Sequence, residues 1–450
     1  MSFPNSILVA GSLALALGAM SPDAAAADRK VPKDFPTIQE AIEAAGLGDR
    51  VIVSKDKAGP YAENVVVTKS DIIIQGKNAE VNAGANGVAF EITGDNVIVT
   101  GFKIRNSTGA GIRATGNGIE VSRCTIEGGQ GNGIEITGDE ATIERNTIRY
   151  MGGSGIVYAA STSEGVTVIE SNKISLNADS GIVSSGAAVE ISRNTLEYNQ
   201  DDGLLINDGG YDGSESTDVD RNKIRCNGGN GICVQETGAD GIIIEGNTLE
   251  NNGRDGIEIA MGSGISIVNN KIKRNSENGI FVGSEGGNLI KNRCENNTLA
   301  GIVINNGTGL GSHSIDSNTA KGNGRDGIQI TGSGNTLTKN KCDSNLGDGI
   351  DIVAQIAGDS TGNKLLGNNC NKNQHEGIDN SGSQTQINDN KASKNGPGGK
   401  GLDIAGSGNR ADPKDEVGIG TVAAGQYNNN KTGDDRDSDE DSTLPQELDI

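Results

Sequence analysis

Between Asn146 and Asn368 an asparagine is followed nine residues later by a glycine ten times in succession, and each glycine opens a strand of Gly-Ile-x-Ile type. Successive glycines of this series, from Gly155 to Gly377, lie 22 to 28 residues apart, and related units at Gly87, Gly111, Gly133 and Gly401 extend the count to fourteen. A short strand bounded by Gly and Asn turns cannot bury its apolar face alone, so units repeating at this period must stack on one another. The expected fold class is all-β, a right-handed parallel β-helix (solenoid) of about fourteen coils. Sixty-nine glycines, no tryptophan and 2% aromatics would underfill a globular core but suffice for a narrow column of Ile, Val and Leu.

Within one unit, the period of two puts Ile134 and Ile136 on one face and Glu135 on the other. A second strand ends at Ile143 and a third begins at Thr147, on either side of Asn146. The asparagine column from Asn146 to Asn390, and a second column five residues on from Asn177 to Asn395, read as buried amide ladders that bond along the axis. Open ends of a β-helix would aggregate and need covers. Ile38, Ala41, Ile42 and Ala45 share one helical face, and Thr37 with Glu40 fits a capping box, so a short helix is expected over the N-terminal opening. The expected organisation is a signal peptide over 1–27, an N-terminal cap over 28–64, the β-helix over 65–405, a C-terminal cap over 406–430 and an acidic disordered tail over 431–450.

The formal charge of -22 argues against nucleic acid and anionic membranes as partners. Ile7 to Ala19 is an apolar stretch of thirteen residues, followed by the small-residue run Ala24 to Ala27 with a cleavage site expected near Ala26 or Ala27, which predicts export to the periplasm, the cell surface or the medium. No later segment reaches the ~20 apolar residues of a membrane span. Cys294, Cys342 and Cys370 occupy inward slots, whereas Cys226 and Cys233 flank one turn, face outward and could be bridged.

The segments FPTIQEAI, GDRVIV and GPYAENVVV, followed by the Asn and Gly-Ile repeats, resemble the pectin-lyase-like superfamily over most of the chain. That resemblance implies the fold and leaves the chemistry open, since its members include lyases, esterases, hydrolases, epimerases and a maturation factor for a copper enzyme. Asp179 in NADSGI and Asp201 and Asp202 in QDDGLLI resemble two of the four polygalacturonase motifs, one coil apart. By that resemblance Asp202 or Asp201 would be the general acid, and the remaining carboxylates would activate water. The sequence departs from the pattern in having GNG at Gly229 to Gly231 where Gly-His-Gly is expected, and no RIK follows. Asp also precedes the strand glycine at Asp255, Asp326 and Asp348, which fits a turn aspartate capping backbone amides equally well.

Length variation is confined to the segment from each strand glycine to the next ladder asparagine, which should project loops from one edge of the solenoid. Tyr150, Tyr158, Tyr198 and Tyr211 lie around the first two long loops and are the candidates for stacking on sugar rings. Asp351, Asp379 and Asp403 fall in one outward slot of three successive coils, with Asp348 and Glu376 beside them, an all-oxygen set suited to Ca2+. His313 and His375 are expected in exposed turns, Arg254 and Arg325 in Arg-Asp turn pairs, and Val157, Val183, Leu205, Cys233, Phe281 and Val303 in an outward apolar stripe. The functional expectation is an exported β-helix that binds a polysaccharide along the loop-bearing edge and could cleave it; the alternative is a non-catalytic envelope or surface scaffold.

Overall fold

Short strands, most of three residues, are laid down three times per coil, in-out-in in one sheet and out-in-out in the other two, and each pairs with its counterpart in the coils before and after it. The computed structural model describes residues 26–412 except 85–86, 161–164, 187, 208–216, 236–240, 307–311, 355–359, 397–400 and 406, together with 426–429 and 431–432. Most of the expected signal peptide, C-terminal cap and acidic tail lies outside the described residues.

The strands opened by the repeat glycines form a fifteen-stranded glycine sheet, from Val65–Val67 to Leu402–Ile404. Those that follow the ladder asparagines form a fifteen-stranded ladder sheet, from Glu80–Asn82 to Lys431–Thr432. The third, here the return sheet, has eighteen strands from Asp28–Val31 to Gln426–Asn429. Every pairing is parallel and nearly all are in register, for example Ile134↔Ile156, Ile143↔Ile169 and Ile148↔Ile174. These are inward positions, and the resulting apolar column is fully buried. Cys294, Cys342 and Cys370 take the same inward slots and are buried free thiols.

Both asparagine ladders are continuous. Asn247 Oδ1 accepts the backbone N–H of Asn222 at 2.8 Å and its side-chain N–H at 3.1 Å, while Asn247 Nδ2 donates to Val219 O and to Asn270 Oδ1. The second ladder repeats the arrangement from Asn177 through Asn227 and Asn297 to Asn395. A buried amide needs an acceptor and donors close by, and stacking identical asparagines supplies them at every level.

The strand glycine is required by close approach rather than by a left-handed backbone. A Cβ on Gly155 would lie 2.6 Å from Gly181 O and 2.3 Å from Ile174 Cγ2, contacts no side chain can relieve by turning. At the N-terminal end the helix Ile38–Glu43 is present, with Thr37 Oγ1 accepting the Glu40 N–H at 3.1 Å. Its Ile38, Ala41 and Ile42 are buried, and it packs against strands Asp28–Val31, Arg50–Ser54 and Val65–Val67.

Asn247→Ala should orphan the Asn222 amide groups and the Val219 carbonyl. At about 1–3 kcal/mol per unsatisfied buried group, a loss of roughly 3 kcal/mol or more is expected. The check is the thermal midpoint, which should fall well below that of the exposed-site control Lys271→Ala.

Candidate functional site

The corner that joins the ladder sheet to the glycine sheet has a constant length because both its ends are pinned, one by the strand after the first ladder asparagine and the other by the close-packed glycine. Four residues after that asparagine the chain turns through the left-handed region, at φ 56° in Tyr150, 58° in Leu176 and 59° in Tyr198. Asparagine or glycine suits such a position, and Asn251 and Asn296 occupy it in later coils. In three successive coils it carries instead a Tyr, a Leu and a Tyr, which remain 54%, 44% and 48% exposed. Leu176 N–H donates to Glu197 O and Tyr198 N–H to Arg225 O, so the corner residues are tied to the next coil. Arg149 sits 5.5 Å from the Tyr150 ring centroid, holding the ring without burying it. The result is an exposed apolar ridge running along the axis.

Beside this ridge, at the end of the same turn, lie the three predicted carboxylates. Asp179 and Asp201 hold equivalent positions two residues before Gly181 and Gly203, and both are exposed. Asp202 is buried, and its Oδ1 accepts the Asn230 N–H at 2.5 Å. Burial is the main cause that lifts Asp202 to about 6, offset by the Asn230 bond and reinforced by the charges of Asp201 and Glu258. Gly229 of the next coil leaves room for both side chains: a Cβ there would meet Asp202 Oδ1 at 2.4 Å and Asp201 Oδ1 at 2.8 Å. The Asp202 contact is also one step of a repeated device. Asn132, Asp255, Asp326 and Asp348 each accept the backbone N–H of the equivalent residue one coil on, at 2.6 to 2.7 Å.

Several expectations need correction. Tyr158 is the third residue of strand Ile156–Tyr158, so the period of two turns it inward; it is 1% exposed and packs where Gly186 leaves space, which rules out sugar stacking. Tyr211 lies outside the described residues. The length-variable loops leave the far end of the glycine-sheet strands, so Tyr150, Tyr198 and the three aspartates sit across the sheet from them and not on the loop edge. His313 is buried rather than in an exposed turn. It begins strand His313–Asp316 opposite Gly287, where no side chain competes for its space, and its Nε2 lies 3.0 Å from Ser284 O. Burial lowers its pKa, keeping it neutral. His375 is exposed as expected. Cys226 and Cys233 are free thiols, and Cys233 is fully buried despite its outward slot. The rest of the apolar stripe is in register, half-buried at Val157, Val183, Leu205 and Phe281 and buried at Val303.

Towards the C-terminal end the same surface becomes acidic. Asp351, Asp379 and Asp403 are register partners in the middle of consecutive glycine-sheet strands. The oxygens that converge, however, belong to Asp326, Asp348 and Asp351, whose ligand atoms lie within 4.8 Å of one another; Asp348, His375 and Glu376 form a second such group. Only Asp351 of the expected trio belongs to either, because strand residues keep a full strand spacing whereas turn and strand carboxylates lean together. Burial pushes Asp351 up to about 7, with the charge of Asp326 adding to it, and Asp379 up to about 6, with Asp403 and Glu376 adding. Asp348 is raised as well, by burial and by its contact with Glu376. Ion pairs elsewhere are plentiful, with Arg149 and Arg105 on Glu127, Arg225 on Glu197 and Arg293 on Glu295, all on the ladder sheet. Among the described residues none of the eighteen ion pairs reaches Asp179, Asp201, Asp202, Asp326, Asp348, Asp351 or Asp379, and the expected turn pairs of Arg254 and Arg325 do not form.

Carboxyls whose folded pKa is raised above the unfolded value favour the protonated form. Their contribution is therefore intact below about pH 4 and is lost as pH climbs through 6 to 7. Glu127, Glu197 and Glu295 are held below their ordinary range and act in the opposite direction, but only in acid. The thermal midpoint should thus fall between pH 5 and pH 8, and Asp351→Asn should raise it at pH 8 while changing it little at pH 5. A midpoint for the variant below wild type at both pH values would refute this.

The right handed beta helix region family model matches residues 60–196, 161–308, 210–338 and 255–414. The chain belongs to that family. No curated protein sequence matches it. Among solved structures, this β-helix is similar to the A-module of the mannuronan C-5 epimerase AlgE4 of Azotobacter vinelandii, at 18% identity and TM-score 0.51, over 76% of this chain and 94% of that one. It is also similar to PfbA, a surface adhesin of Streptococcus pneumoniae, at 11% identity and TM-score 0.45, over 75% of this chain and 94% of that one. The catalytic unit of a thermostable GH87 alpha-1,3-glucanase from Streptomyces thermodiastaticus matches at 15% identity and TM-score 0.42, over 59% of this chain and 61% of that one. At these identities the likeness is one of fold. No helix among the described residues is long and apolar enough to cross a membrane.

Proposed function

We propose that this β-helix binds a polysaccharide along the ridge of Tyr150, Leu176 and Tyr198, and that Asp202, with Asp201 and Asp179, supplies the chemistry for cleaving it. The observation that carries the reading is the ridge itself, two tyrosines and a leucine held exposed in a strained left-handed conformation beside unpaired carboxylates. An aromatic ring on a sugar face excludes water from both at low entropic cost. Asp202, lifted to about 6, is protonated often enough near neutrality to donate to a glycosidic oxygen, and Asp201 or Asp179 would take a proton from water. The apolar Ile7 to Ala19 segment supports an exported protein meeting such a polymer outside the cytoplasm. Ca2+ at Asp326, Asp348 and Asp351, with Asp379 and Asp403 beyond, would offset the repulsion of that acidic end.

A second reading, binding or scaffolding without turnover, is favoured by the amide-capping bond of Asp202, which the neighbouring turns repeat. Asp202→Asn separates the two, because asparagine at Asn132 and Asn278 makes the same bond to the next coil. Product release from a panel of plant, algal and bacterial polysaccharides should generate new reducing ends, and the variant should lose ~100-fold or more of that rate with an unchanged melting midpoint. Binding without product in both proteins would leave the scaffold reading in place.

A further inference from the structure

Building on the glycan-binding reading, we infer that the ridge selects an extended polysaccharide bearing free amino groups, lying parallel to the solenoid axis. Three observations lead there. First, Tyr150 and Tyr198 occupy the same slot two coils apart, so their backbone positions repeat at about 9.6 Å, twice the ~4.8 Å strand spacing. That is close to the length of a disaccharide in an extended chain, so alternate sugars of such a chain would meet successive tyrosines, with Leu176 under the sugar between them. A chain crossing the axis would meet one ring only.

Second, the charge beside the ridge is negative, and among the described residues no ion pair reaches it. Asp179 and Asp201 stand exposed one coil apart, and among the described residues the one hydrogen bond to either carboxylate is donated by the Ser180 N–H to Asp179 Oδ1 at 2.9 Å. Third, the guanidinium groups on the strands that run into the ridge are already engaged, Arg149 by Glu127 and Arg225 by Glu197, so they are poorly placed to receive a uronate carboxylate; Arg254 stands two coils beyond Asp201 in the same row of turns, past the end of the ridge. An ammonium on a sugar stacked against Tyr198 would donate a charge-assisted hydrogen bond to either aspartate, whereas a polyuronate would meet like charge. The complementary ligand class is therefore a partly or fully de-N-acetylated hexosamine polymer.

Titration calorimetry of the full chain tests this with three hexamers: a β-1,4-glucosamine chain with free amines, its fully N-acetylated counterpart, and a hexuronate with and without Ca2+. The amine hexamer should bind at least tenfold more tightly than the other two, and the margin should shrink as salt is raised. Tyr198→Ala should weaken both the amine and the N-acetylated ligand, whereas Asp201→Asn should weaken only the amine form; far-UV circular dichroism confirms that both variants fold. Equal affinity for the amine and N-acetylated hexamers, or tighter binding of the hexuronate in Ca2+, would overturn the amine selectivity and leave glycan binding standing. No heat with any hexamer, and no retention on the polysaccharide panel, would remove both.

Discussion

An asparagine turned into a dry corner brings one acceptor and two donors that water cannot reach, and here each finds its partners in the coils above and below. Asn247 touches Asn222, Val219 and Asn270, so no coil can satisfy its own corner without its neighbours. The parallel register, the fixed rise and the tight glycine opposite all follow from keeping these bonds at normal length. A β-helix held this way has little freedom to breathe at the ladder corners, and a site built on such a corner inherits that rigidity. Preorganisation of this kind lowers the ordering cost of binding.

The same geometry explains why the corner can carry unusual residues. A left-handed Tyr or Leu costs on the order of 1–3 kcal/mol, and it persists only where the surroundings fix the backbone. Buried asparagines flank each of these positions, one four residues before and, at Leu176 and Tyr198, one immediately after, at Asn177 and Asn199. Further along, the acidic end uses another form of constraint: carboxylates that share a turn and a strand are brought within reach of one another by stacking, and their charge is suppressed by burial.

Much of the architecture was legible because it depends on periodicity. Inward Ile134 and Ile136, the two asparagine columns and the N-terminal helix with Thr37 at its cap all follow from spacing that survives without tertiary context. What could not be read was which way a residue points once the chain leaves the strand. Tyr158 looked like a loop aromatic and is the last inward residue of its strand; His313 looked like a turn residue and begins one. Leu176 went unnoticed beside Tyr150 and Tyr198 although it occupies the same slot, because a lone leucine reads as core and its exposure comes from the left-handed turn. Asp326 was read as a turn aspartate, and its approach to Asp348 and Asp351 depends on side-chain lean between coils, which spacing does not encode.

The constant corner and the variable loops lie at opposite ends of each glycine-sheet strand. Residues can be added or removed after a strand such as Leu204–Ile206 without changing the rise or the angular position of Tyr198, because the pinned segment from ladder asparagine to strand glycine does not transmit the change. The two margins of the sheet are mechanically decoupled. One keeps a fixed graduation along the molecule, and the other is free to take any outline.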